Sequence, residues 1–133
     1  MKLSEIVARV IALASAVDEV DDAYFKTLPG YPCINAADLV KLPPRAVAER
    51  KELRDFLAGL SPATIYALVV LMDIGRRWFG TEDLLWCYVD VGHQYPKPAA
   101  AAQYLLSKDI VSNLTEGLRC LSEDKIDVDR VLG

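Results

Sequence analysis

Apolar side chains recur every three or four positions along most of this chain, the spacing that lines them up on one face of an α-helix. Leu3, Ile6, Val7, Val10, Leu13, Ala14 and Val17 form the first such stripe and predict a helix over 3–22. Ser4 is its expected N-cap, with Glu5 in the first turn, where the helix dipole favours an acid. Ala8, Ala12 and Ala16 stand four apart on the other side. They are either a ridge that admits a second backbone closely or an expression of alanine's helix propensity alone. A second helix, 44–58, starts on Pro44, which suits the first helical position, and stops at Gly59. Ala46, Leu53, Phe56, Leu57 and Leu60 share its inner face. The third has the clearest start: Ser61 caps, Pro62 begins and Gly80 follows the end, giving 61–79. Its stripe is Ile65, Leu68, Leu71, Met72, Gly75 and Phe79, widened by Val69, Val70 and Ile74. Only Tyr66, Asp73, Arg76 and Arg77 interrupt it, so this helix belongs at the centre. Gly75 within the stripe costs about 1 kcal/mol against alanine, a cost that a close helix crossing would offset.

Thr81 is the expected cap of a fourth helix, 81–91, with Glu82 and Asp83 in its first turn and Gly92 at its end. A fifth spans 98–108. Asp109 caps a sixth, 110–122, which turns Ile110, Leu114, Gly117, Leu118 and Leu121 inward. The acidic tail, 123–133, either forms one more turn through Ile126, Val128 and Val131 or frays. The stretch 27–44 breaks the pattern, because Pro29, Gly30, Pro32, Pro43 and Pro44 interrupt helix continuation. Asn35 is expected to cap a short turn over 36–41. Tyr31, Cys33, Ile34, Leu39 and Leu42 are expected to pack this long connection on the body. No strand-like alternation or internal repeat is present. The expectation is a single all-α domain over 1–133, a compact bundle of five or six helices around the central apolar helix.

Composition adds a question about partners. Residues of the AVILMFWYC set make up 53 % of a 133-residue chain. That is high for a small monomer with much surface to cover, and it points toward a subunit interface. The net charge is −4, and the basic clusters Arg45/Arg50/Lys51/Arg54 and Arg76-Arg77 are mixed with acids, so nucleic-acid binding is not expected. No apolar stretch approaches the ~20 residues of a membrane span. Lys2, the apolar run 10–14 and Ala14-Ser15-Ala16 imitate a secretory signal, but Glu5 and Arg9 interrupt it. Cys33, Cys87 and Cys120 are odd in number and lack C-x-x-C spacing, which fits reduced thiols rather than a zinc site. Together these features favour a cytoplasmic protein.

No catalytic, cofactor-binding or metal-binding motif stands out, and the candidates are single side chains. Asp18, Glu19, Asp21 and Asp22 lack a glycine-bearing loop and read as a solvated helix end, or as the exit from that helix. Arg76 and Arg77 are expected to complement the helix dipole and pair with Asp73; the alternative is a bound phosphate or partner carboxylate. His93, with Asp90 three residues before it, is expected at the surface after a helix end. Trp86 projects away from the Leu84/Cys87/Tyr88/Val91 face, on the side of Glu82, Asp90 and His93. The proline-rich connection is its expected cover, an intersubunit contact the alternative.

The segments LSPATIYALVVLMDIGR and AAQYLLSKDIVSNLTEGL resemble a family of small all-helical bacterial proteins known only as a domain of unknown function. The likeness covers about residues 60–121. It implies a helical fold and a bacterial source and carries over no site residue. The functional expectation is a self-associating protein-interaction module, a homodimer. The alternative is a small-molecule binder or enzyme with an interhelical pocket lined by Trp86, Asp90, His93 and Tyr31.

Overall fold

The computed structural model describes residues 1–37 and 41–133 of the chain. Among these residues there are seven α-helices and no strand: α1 (Leu3–Phe25), α2 (Pro44–Ala58), α3 (Pro62–Gly75), α4 (Leu84–Gln94), α5 (Pro98–Leu106), α6 (Ile110–Glu123) and the single turn α7 (Val128–Val131). The all-α expectation holds, and α3 is the central element. Every residue from Ala67 to Ile74 is buried. Around α3 pack α6, α5 and α4, while α1 packs on α2 and α6.

The α3–α6 contact is the most extensive, and two glycines set its closeness. A Cβ on Gly75 would stand 1.9 Å from the Asn113 carbonyl oxygen, and one on Gly117 would stand 2.2 Å from that of Leu71. Any side chain there meets the opposing backbone, so only glycine permits this approach. The crossing expected at Gly75 is therefore present, with Gly117 as its counterpart.

Helix starts follow the sequence reading where a side chain caps. Ser61 Oγ accepts from Thr64 N–H at 3.2 Å, and Asp109 accepts from Ser112 N–H at 3.2 Å. Two expected caps are corrected. Helix α1 begins one residue before Ser4, and the Ser4 N–H and hydroxyl both donate to Asp129 at 2.7 Å. That pair ties the α7 turn to the first turn of α1. Thr81 opens a 3-10 turn, Thr81–Asp83, and bonds to Asp124, so α4 starts at Leu84. It also runs through Gly92 to Gln94.

Two helices close through a left-handed residue that is not glycine. Arg77 has φ 63° and Lys125 φ 57°. At the first, Arg77 N–H donates to Ile74 and Trp78 N–H to Asp73; at the second, Lys125 N–H donates to Ser122 and Ile126 N–H to Leu121. Both are Schellman closures built on a residue other than glycine. The helix expected to reach residue 79 therefore stops at Gly75.

The connection after α1 is less packed than expected: Tyr31 and Cys33 are exposed, Ile34 and Leu42 half-buried. Leu39 and most of the turn expected over 36–41 lie outside the described residues. No single helix among the described residues is long and apolar enough to cross a membrane. Helices α2 and α3 reach that length only together, across a 116° bend.

Candidate interaction surface

Helix α4 is apolar on two faces. Leu84, Cys87 and Val91, at helical spacing, are buried, and α4 packs against α3. Around the helix from them, Leu85, Trp86 and Val89 are 70 %, 61 % and 57 % exposed. Trp86 is thus not covered by the proline-rich connection. That segment joins the end of α1 to the start of α2, and the ring contact of Trp86 is instead Phe79, at 5.4 Å between centroids. Phe79 belongs to the short link from α3 to α4, so the indole is held by its own neighbourhood while its outer face stays bare. Leu85 continues this surface into a cleft of about 470 Å³ with Leu3, Ile6, Tyr88 and Leu132. Trp78 is exposed in the same link.

Asp90 is half-buried and His93 exposed in the last turn of α4, inside the helix rather than after it. No hydrogen bond joins them among the described residues. The clefts at this end of the molecule are lined by other side chains, without Trp86, Asp90, His93 or Tyr31.

Arg76 and Arg77 are both engaged, with different partners. An Arg76 N–H donates to the Tyr104 hydroxyl at 2.5 Å, which donates to Asp73 Oδ1 at 2.7 Å. Arg76 therefore reaches Asp73 through Tyr104, while its guanidinium lies 4.9 Å over the Trp78 ring. Burial pushes the Asp73 carboxyl above its ordinary value, opposed by the Tyr104 hydrogen bond and the Arg76 charge. Burial, with Asp73 as its acceptor, pushes the Tyr104 hydroxyl up to about 12. Arg77 donates to Glu116 at 2.9 Å. Glu116 is held down to about 2, first by its hydrogen bond from Arg119 and then by the two guanidinium charges.

The acidic cluster is not a helix exit, because α1 continues to Phe25. Asp21 pairs with Arg50 of α2 at 2.5 Å, and Asp22 with Lys26 at 3.2 Å. Asp18 and Asp21 line a cleft of about 660 Å³ between α1, α2 and the start of α6, with Val17, Arg50, Leu106 and Asp109. Burial raises the Asp18 pKa, and the charges of Asp109 and Asp21 raise it further. No group of His, Cys, Asp and Glu suited to a metal ion occurs among the described residues. The three cysteines are unpaired, and burial pushes the Cys87 thiol up to about 12, an unreactive position.

Sequence reasoning singled out Trp86 and missed Leu85 and Val89. The signal was present: position 89 is one turn on from both 85 and 86, on the side of α4 that its buried stripe leaves free. Comparison with known proteins found no matching family model, no similar curated protein and no similar solved structure.

Proposed function

We propose that this protein is a self-associating interaction module, a homodimer in solution. One observation carries the reading: Leu85, Trp86 and Val89 form an exposed apolar patch on a regular helix whose opposite face is already packed. A contiguous apolar patch on a rigid element marks a contact surface more often than it marks scatter. Tryptophan is among the residue types that concentrate binding energy at such surfaces. Trp86 rests on Phe79, so little side-chain freedom is lost when a partner covers it. The net charge of −4 favours a protein partner over a nucleic acid. The same reading keeps the protein in the cytoplasm, where its three unpaired thiols stay reduced.

Light scattering across the micromolar range tests the proposal. The expected mass is twice the 14.7 kDa of the chain, falling to the single-chain mass in Trp86→Asp with helix content unchanged. A wild-type protein that stays at the single-chain mass throughout would overturn it.

A further inference from the structure

The geometry points to a binding site for an aliphatic carboxylate, an amphipathic anion of the fatty-acid class, in the groove between α2 and α5. This site is independent of the self-association reading, which uses α4. Helix α2 lines the groove with Arg54, Leu57 and Ala58, and α5 lines it with Ala99, Ala102, Gln103 and Leu106. Both sets fall three and four residues apart, so each is one face of its helix. Leu57 and Ile65 are buried and make the floor, while Leu106 stands exposed at the rim. The alanines carry too little side chain to close the gap between the helices, and a groove of about 320 Å³ remains. Arg54 and Gln103 are its polar side chains; every other residue that lines it is apolar. An apolar wall with a few placed polar groups is the usual form of a small-molecule site.

Arg54 decides the chemistry of the occupant. In the basic cluster of α2, Arg45 pairs with Glu49, Arg50 with Asp21 and Lys51 with Asp55. Arg54 makes no ion pair or hydrogen bond among the described residues, and neither does the Gln103 side chain. A guanidinium takes a carboxylate through two parallel hydrogen bonds, and an apolar wall beside it strengthens the attraction. An amine head would meet like charge at Arg54, and an uncharged head would forgo the ion pair. The first turn of α5 also lines the groove and has no capping side chain, so its dipole adds positive potential. Arg54, Gln103 and Leu106 also border the larger cleft between α1, α2 and α6. That cleft sets Asp18, Asp21 and Asp109 against Arg50, Arg54 and Lys108, so it has no net preference of its own. The carboxylate therefore sits at Arg54, on the polar side, and the aliphatic chain runs over Leu57 and Ile65.

Nuclear magnetic resonance titration of the intact chain with octanoate, octanol and octylamine tests the site. Octanoate should shift the amides of Arg54, Leu57, Ile65, Ala102 and Gln103, and bind about tenfold more tightly than either of the other two. Arg54→Gln should weaken octanoate by about tenfold and leave octanol unchanged. Arg54 is exposed, so helix content by circular dichroism should stay at the wild-type value in this variant. Octanoate shifts that are absent, or centred on α4 instead, would overturn the proposal. Equal affinity for octanoate and octylamine, or an Arg54→Gln variant that binds octanoate as wild type does, would also overturn it, since the groove would then take up apolar chains without reading their charge. None of these outcomes bears on Trp86→Asp, so the two readings fail separately.

Discussion

Helices α3 and α4 each carry apolar side chains on more than one face, and their surroundings differ. Around α3 sit α6, α5 and α4, and every residue from Ala67 to Ile74 is buried. Helix α4 has α3 against one face, while Leu85, Trp86 and Val89 on the other remain bare. Hydropathy alone does not separate the two cases. What separates them is a seat for a neighbour: Gly75 and Gly117 let α6 come down onto α3, backbone to backbone. The glycine of α4, Gly92, has nothing within 4 Å of the place where a Cβ would be. A glycine in a packed joint and a glycine on a free surface are alike in sequence and opposite in energetic meaning.

Substitutions sharpen this contrast, and the largest effect is expected in α3. Leu68→Ala should cost about 2–5 kcal/mol in urea unfolding, because Leu68 is fully buried and its surroundings are held on several sides. Gly117→Ala comes next. The new methyl would meet the Leu71 carbonyl, and separating the helices should cost about 1–3 kcal/mol despite alanine's better helix propensity. Gly92→Ala is the smallest and has the opposite sign. It should stabilise the chain by about 0.5–1 kcal/mol, since there is space and φ is not positive. Loss of stability in Gly92→Ala, or none in Gly117→Ala, would break the comparison.

Acid–base behaviour gives a further handle on the packed side. The Asp73 carboxyl has a folded-state pKa above its ordinary 3.8, mainly through burial. The folded protein therefore holds that proton more tightly than the unfolded chain, and this residue's contribution to stability falls as pH rises through the carboxylate range. Asp73→Asn should remove that decline. Tyr104→Phe takes away the hydrogen bond that opposes the shift, so it should steepen the decline and cost about 1–3 kcal/mol near neutral pH. Unfolding curves measured from acid to neutral pH, compared with wild type, read both.

Much of this fold was legible because its periodic stripes are long. Helix α2 begins at Pro44 and ends at Ala58 as the sequence reading predicts, and the Ser61 and Asp109 caps form. The exits from α3 and α6 were not legible. Arginine and lysine occupy left-handed positions there that sequence patterns assign to glycine, and the tertiary packing of each joint overrides that preference. Ser4 and Thr81 were misread for a related reason: each bonds to an acid more than forty residues away instead of its own helix end. Asp73 looked like a break in the apolar surface of α3 because its partner, Tyr104, lies on another helix. For the candidate surface, the helical projection placed Trp86 on the outer side of α4. Whether the connection over 27–44 would cover it depends on where that segment runs, which its proline spacing does not encode.

The central claim, that the outer face of α4 is a contact surface, is tested most directly by the emission of Trp86 itself. Of the chain's two tryptophans, Trp78→Phe leaves Trp86 as the sole indole. Self-association predicts emission at shorter wavelength in concentrated solution and a shift to longer wavelength on dilution, as water replaces the second copy against the ring. An emission maximum that stays at the long-wavelength, water-exposed position at every concentration would contradict it.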